Sequence, residues 1–319
     1  MSARASGLTN QEADLSVQGL LLDVDKFASH DGPGIRTAVF LKGCPLTCQW
    51  CHSPESQISH PELLYQHERC TACWLCLDVC PENALTRGRS RTQDVAVLDR
   101  AQCTACGKCV EVCYPGALRL AGTLISVGDL ASEVEKDLPF FRSSGGGVTL
   151  SGGEPARQAS FSYNFLLSCK ERGIHTALET TGYARWEVIS ALARVTDLFL
   201  YDVKLIDSEA HQCYTGVPNH LILENLRKLA GLGQEIQVRV PCIPGINDSK
   251  EQVRSIARFV APLGIERMVL LPYNGAAGAK YEWIGNPFVL SHRETQAEEY
   301  MELLADLCNK EGVQVQIGG

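Results

Sequence analysis

The sequence predicts an α/β fold: a partial barrel of about six β–α units, interrupted by a small cysteine-rich insert. Three observations lead there. From Val148 onward, short apolar strand-like runs alternate with stretches of helical periodicity, the pattern of a parallel sheet covered by helices. Without the insert, the chain comes close to the ~250 residues of a complete eight-fold barrel, yet only about six units are visible, so the barrel is expected to be open. Eleven of the fifteen cysteines fall between Cys44 and Cys113, which sets that stretch apart from the rest.

Taken in order, RTAVFLKG ahead of the cysteines supplies the first strand, and the helix-like SVGDLASEVEKDLPFF leads into the second half. Strands are then expected at GVTLS (147–151), IHTALE (174–179), DLFLYDV (197–203), EIQVRV (235–240) and RMVLLP (267–272). Between them run QASFSYNFLLSCKERG, ARWEVISALARV, LENLRKLAGLG and SKEQVRSIARFVAPLG, with helical spacing of apolar residues. Gly173, Gly233 and Gly264 stand where helix C-caps are expected. The chain thus divides into residues 1–60, the first part of the barrel with a cysteine loop; 61–122, the insert; and 123–319, the rest of the barrel.

A net charge of -8 with no Lys/Arg-rich tract argues against a nucleic-acid binder that neutralises phosphates. The polar opening MSARASGLTNQEADLSVQ lacks the apolar core of a secretory signal, and no apolar run reaches the ~18 residues of a membrane span. A cytoplasmic protein, expected as a monomer and with no membrane partner, follows. In a reducing compartment, clustered cysteines read as metal ligands. The scattered Cys169, Cys213, Cys242 and Cys308 read as ordinary buried cysteines.

The insert carries an internal repeat. CTACWLCLDVCPENAL and CTACGKCVEVCYPGAL both follow C-x2-C-x2-C-x3-C. This is the spacing of a bacterial two-cluster ferredoxin, in which three cysteines of one run and the fourth of the other share a cluster. Cys70, Cys73, Cys76 and Cys113 would hold one [4Fe–4S] centre; Cys103, Cys106, Cys109 and Cys80 would hold the second. A pair of zinc knuckles is the alternative. Such clusters could relay electrons or simply stabilise the insert.

A third group stands apart. KGCPLTCQWCHS holds Cys44, Cys48 and Cys51 as C-x3-C-x2-C. Three cysteines leave one iron of a cubane without a protein ligand, unless His52 completes a Cys3His zinc site. Downstream, GVTLSGGEP puts Ser151, Gly152, Gly153 and Glu154 at a strand end, where the sites of α/β barrels form, with two glycines that let the backbone approach a ligand.

The triad spacing, with the aromatic Trp50 before its last cysteine, is similar to the signature of the radical S-adenosylmethionine (SAM) superfamily. That resemblance implies a partial (β/α)6 radical SAM barrel with an inserted α+β bacterial-ferredoxin-like domain. It implies that SAM chelates the open iron and that reductive cleavage yields a 5′-deoxyadenosyl radical. More narrowly, SHDGPGIRTAVFLKGCPLTCQWCHSPES, GGVTLSGGEP, YDVK and LLPYN resemble, in this order, segments of the glycyl radical enzyme activating enzymes, in the branch that carries the insert. Three [4Fe–4S] clusters, SAM, a glycyl radical enzyme as protein substrate, and a flavodoxin or ferredoxin as electron donor are what the resemblance implies.

Residue roles follow from matched positions. Asp31, in HDGPG, falls where the family meets its partner's glycine loop, and Lys204, in YDVK, where it contacts SAM; these two are the candidate catalytic residues. Trp50, Gly152, Gly153, Glu154, Asp202, Arg239 and Asn274 fall at cofactor positions, Glu154 in the motif that binds the methionyl amino group. Two positions depart from the pattern. Glu179 stands where shorter members carry an aspartate beside a monovalent cation, which puts that cation in doubt, and Asn274 replaces the histidine of LLPYH. A radical SAM enzyme acting on a small molecule, and a plain three-cluster electron carrier, are the competing readings; DGPGIRT disfavours the first and the GGE motif the second.

Overall fold

A computed structural model describes residues 12–90 and 92–318. The chain opens with β1 (Gln18–Ala28) and β2 (Arg36–Leu41), an antiparallel pair. The cysteine-rich unit follows: β3 (Glu62–Tyr65), α1 (Leu75–Asp78), β4 (Leu85–Arg89), β5 (Asp94–Leu98), α2 (Lys108–Glu111) and β6 (Leu118–Ala121). β3 pairs with β6 and β4 with β5, each antiparallel. Leu63, Leu85, Ala96 and Leu118 pack with Cys76 and Cys109 into a core separate from the main one.

The chain then returns through β7 (Thr123–Ser126), α3 (Val127–Glu135) and α4 (Leu138–Ser144) to β8 (Gly147–Gly152). The units α5 (Ala159–Glu171), β9 (His175–Thr180), α6 (Trp186–Ala193), β10 (Leu198–Asp202), α7 (Ser208–Thr215) and α8 (His220–Gly231) come next. β11 (Ile236–Cys242), α9 (Lys250–Val260), β12 (Arg267–Pro272), α10 (Gly278–Trp283), α11 (Glu298–Asn309) and β13 (Gln314–Ile317) complete the fold. One sheet of nine strands runs β13-β12-β11-β10-β9-β8-β2-β1-β7. From β2 to β13 its neighbours are parallel, and β1 joins β2 and β7 antiparallel. Among the described residues β7 and β13 are not paired, so the barrel is open.

Strand alternation decides what faces the barrel interior. Val148, Leu150, Leu178, Val238, Val240, Met268 and Leu270 point outward into the core shared with the helices. Their neighbours Thr149, Ser151, Ala177, Glu179, Leu200, Asp202 and Arg239 are therefore turned inward. The inner face is apolar low in the barrel, where Ala177, Leu198 and Leu200 form a cluster of their own, and polar at the C-terminal strand ends.

Outside the insert, the expected strands and helices appear in order, joined by β1, β7, β13, α7, α10 and α11, which the sequence reading did not mark, and with one expected helix divided. β1 went unforeseen because Asp23, Asp25 and Lys26 interrupt its apolar pattern; it is a partly exposed strand with register shifts. β7 and β13 are four residues each, too short for periodicity to register. The single helix expected over 126–141 is two, because Pro139 lacks the N–H needed to continue α3 and sits instead in the first turn of α4. Gly173, Gly233 and Gly264 all adopt left-handed φ, as expected of C-caps.

Arg36 fastens the start of β2. It is fully buried, and its guanidinium donates to Thr149 Oγ1 at 2.6 Å, Val148 O at 2.5 Å and Pro33 O at 3.1 Å. Burial lowers its pKa to about 10, against the stabilising charge of Asp31. Replacing Arg36 by Met should leave buried acceptors unpaired and cost about 1–3 kcal/mol, measured by chemical denaturation, with faster proteolysis of residues 29–35.

Candidate active site

After β2 the chain folds over the C-terminal mouth of the barrel. The loop is fixed by its own backbone: Gly43 N donates to Ser56 O at 2.6 Å, Cys44 N to Gln57 O at 2.8 Å, Thr47 N to Thr215 O at 2.8 Å and Gln49 N to Tyr214 O at 3.1 Å. Cys44, Cys48 and Cys51 line one cavity of about 310 Å³, together with Trp50, Gly152, Gly153, Glu179, Asp202, Lys204 and Asn274. Residues more than 200 positions apart in sequence thus meet in one place.

The chemistry of the thiols fits an iron–sulfur ligand set. Burial raises the pKa of all three, Cys48 to about 12, so they keep their protons until a cationic centre replaces them. Among the described residues no three His, Cys, Asp or Glu side chains come together closely enough for a single metal ion. A cubane binds thiolates at its outer corners and suits such spacing better than one tetrahedral zinc. His52, the alternative fourth ligand, has Nε2 2.6 Å from Asn274 O, which engages that nitrogen.

The opposite wall is polar. Lys204 Nζ lies 2.7 Å from Asp202 Oδ2; burial would lower its pKa, but Asp202 and then Cys48 outweigh that and raise it, so the lysine is a cation at the cavity wall. Glu179 accepts from Ser151 Oγ at 2.5 Å and from Arg239 Nη1 at 2.8 Å. Burial raises the Glu179 pKa while Arg239 opposes it. With both carboxylate oxygens so engaged, Glu179 contributes to an internal network.

Three expected site residues stand outside the cavity wall. Glu154 is fully buried. Its Oε1 accepts from Thr180 Oγ1 at 2.6 Å and Ala156 N at 3.1 Å, and its Oε2 from Thr181 Oγ1 at 2.6 Å and Thr181 N at 2.8 Å. It therefore ties the end of β8 to the end of β9. Arg239 lies beneath, with Nη2 donating to His30 O at 3.2 Å and Nε without a partner. Asp31 is half-buried in the same loop, and its carbonyl accepts from Thr149 Oγ1 at 2.6 Å. The two glycines serve the fold as well as the cavity: a Cβ on Gly152, at φ +107, would lie 2.3 Å from Leu41 N, and one on Gly153 2.5 Å from Gly43 O. Thr180 and Thr181 are the functional partners that sequence reasoning missed; the signal was a pair of hydroxyls at a predicted strand end.

In the insert, Cys70, Cys73, Cys76 and Cys113 line one small cavity, and Cys80, Cys103, Cys106 and Cys109 line another. The crossing is built by the near-symmetric packing of α1 and α2, each entered through a residue in the left-handed region, Trp74 and Gly107. Backbone amides already point at sulfur: Ala84 N to Cys80 Sγ at 3.3 Å and Ala105 N to Cys103 Sγ at 3.4 Å. Burial would raise the Cys70 thiol, yet the neighbouring Tyr65 hydroxyl and the Ala96 and Ala72 amides bring it below its ordinary value. Preformed N–H···S contacts are what a thiolate-held cluster requires.

An open α/β barrel with a three-cysteine loop at its mouth, joined to a unit with two cysteine-lined cavities, defines a radical SAM protein. Residues 111–260 match the Radical SAM superfamily, and residues 69–117 match a 4Fe-4S dicluster domain. The chain belongs to the activating enzymes of glycyl radical enzymes. It is 43% identical over 303 residues to the trans-4-hydroxy-L-proline dehydratase activating enzyme of Clostridioides difficile, covering 94% of this chain and 99% of that one. It is 44% identical to the isethionate sulfite-lyase activating enzyme of Oleidesulfovibrio alaskensis, covering 85% and 88%. The crystal structure of a radical SAM methyltransferase from Sphaerobacter thermophilus shares the fold, with a TM-score of 0.52 at 14% identity over 88% of this chain and 66% of that one.

The Glu154 network gives a direct test. Glu154→Gln keeps the shape but turns an amide NH2 toward one set of donors. Stability should fall by about 1–3 kcal/mol, read by anaerobic denaturation, and SAM affinity should fall with it as the β8 and β9 ends separate.

Proposed function

We propose that this protein cleaves SAM reductively and uses the product to remove a hydrogen atom from one glycine of a partner glycyl radical enzyme. The observation that carries the reading is the cavity itself, where Cys44, Cys48 and Cys51 face the Asp202–Lys204 pair and the two glycines at the end of β8. When bound, a [4Fe–4S] cluster on the triad and SAM supply a 5′-deoxyadenosyl radical, and the glycine Cα–H supplies the hydrogen atom.

The chain's own residues bind, orient and shield. Lys204, kept cationic by Asp202, suits the carboxylate of SAM. Gly152 and Gly153 keep the end of β8 free of side chains where the ligand must approach. Trp50 is buried with Ile243, Ile246, Tyr273 and Leu290, an apolar wall that keeps water from a radical. The loop bearing Asp31, held by Thr149 and Arg239, lies on the inner side of the open barrel, where a peptide loop of the partner can enter. The insert fits two further clusters, and a flavodoxin or ferredoxin is the electron donor assigned to it. One chain completes the cavity, so a monomer suffices.

Anaerobic reconstitution should give about twelve irons per chain, four for each of three cubanes; stoichiometric zinc would sink the insert assignment. Replacing Cys44, Cys48 and Cys51 together by Ala should leave about eight irons and no 5′-deoxyadenosine on reduction with SAM.

Alpha-deuteration of the partner's glycine should place deuterium in 5′-deoxyadenosine and change the hyperfine splitting of the radical in electron paramagnetic resonance. Deuterium arriving only from a small metabolite would favour a small-molecule substrate instead. Asp31→Ala should weaken glycyl-radical formation while SAM binding persists; equal loss of both would reduce Asp31 to a structural turn residue.

A further inference from the structure

Seven side-chain polar atoms among the described residues are buried without a hydrogen-bond partner, and two of them are phenol oxygens, on Tyr65 and Tyr281. A buried hydroxyl left unpaired is costly, so each points to a partner that binding supplies. Both lie against cysteine sites. Tyr65 lines the cavity of Cys70, Cys73, Cys76 and Cys113.

Tyr281 belongs to α10, which packs on the 3-10 turn Pro54–Ser56 that directly follows the cysteine triad. The preceding residue fixes this docking, with Lys280 Nζ 3.0 Å from Glu55 Oε1. The phenol ring rests on Phe288, centroids 4.8 Å apart. Its hydroxyl stands beside the Cys51 amide and in the field of the Cys51 and Cys48 thiols. That amide donates to Cys48 O at 3.2 Å and, as an N–H, cannot accept from the phenol, whose hydrogen has no acceptor.

The same helix is clamped from the other side by the insert. Arg100 donates from Nη2 to Trp283 O at 2.5 Å and from Nη1 to Leu63 O at 2.8 Å. Trp283 Nε1 donates to Glu68 Oε1 at 3.2 Å. The short helix α10 is thus held between the insert and the triad loop.

We infer that Tyr281 is a positioning residue that donates its hydroxyl hydrogen to the sulfur shell of the cluster at Cys51, and that the insert, through Arg100 and Trp283, holds it there. A hydrogen bond to a cluster sulfur stabilises the more negative, reduced state and raises the midpoint potential. The insert therefore tunes the triad cluster mechanically, whatever electrons it carries. This rests on the reading of Cys44, Cys48 and Cys51 as cluster ligands.

The test uses the reconstituted full-length protein, with iron analysis and potentiometric titration followed by electron paramagnetic resonance. Tyr281→Phe should keep the full iron complement and shift the midpoint of the triad cluster to lower potential, leaving the insert clusters unmoved. Tyr65→Phe should do the reverse. Arg100→Ala should shift the triad cluster in the same direction as Tyr281→Phe, by a smaller amount. A Tyr281→Phe protein with full iron and an unshifted triad midpoint would overturn the inference. If Tyr281→Phe lost iron, Tyr281→Trp, which restores an N–H donor, should recover both iron and midpoint; failure to recover would assign Tyr281 to packing alone. A wild-type protein with no iron at the triad would instead overturn the cluster reading itself.

Discussion

Glu154 holds the mouth of the barrel together. A carboxylate with no access to water is costly unless each lone pair is met, and here four donors meet them, three from the Thr180–Thr181 corner and one from its own turn. Burial raises its pKa while those bonds pull the other way. Because the donors come from the next strand, the ends of β8 and β9 cannot drift apart without exposing an unmet carboxylate. The glycine pair just before Glu154 and the Ser151–Glu179–Arg239 chain beneath it depend on that registration, and so does the polar ceiling under the cysteine loop.

The insert meets the barrel through few but specific groups. Lys42, at the end of β2, is buried and reaches Glu62 at 2.6 Å and the Glu55 carbonyl. Burial lowers its pKa, while Glu62 opposes the shift. One ammonium therefore binds the first strand of the insert and the turn after Cys51 at once. Arg100 repeats the arrangement from the insert side. The cavity of Cys80, Cys103, Cys106 and Cys109 includes Leu63 in its wall, the residue whose carbonyl Arg100 holds, so this cavity stands on the barrel side of the insert. The cavity walled by Tyr65 lies further along β3.

Much of this was legible in the sequence because it depended on local spacing. The strand runs, the glycines that close the helices and the duplicated cysteine repeat each carry their signal within a few residues. What escaped depended on pairing across the sheet. Glu154 reads as a ligand contact in its motif, and only the neighbouring strand reveals that Thr180 and Thr181 occupy it. β1 escaped because a partly exposed strand tolerates Asp23, Asp25 and Lys26. Tyr281 escaped because nothing in AKYEWIG states which loop its helix will lie upon. Pro139 was visible as a helix breaker, and its consequence, two helices where one was expected, was readable in advance.

The two ends of the insert are adjacent: Glu62 and Ala121 are opposite each other in the β3–β6 ladder. To the barrel, a folded insert is thus a short connection, although β2 must find β8 across more than a hundred intervening positions. The entropy of closing a loop grows only with the logarithm of its length, about 0.6 kcal/mol per doubling. An element that begins and ends at one point therefore adds little to the cost of assembling its host. It can be gained or lost between relatives while the barrel strands keep their register, a modularity that belongs to the geometry of the junction.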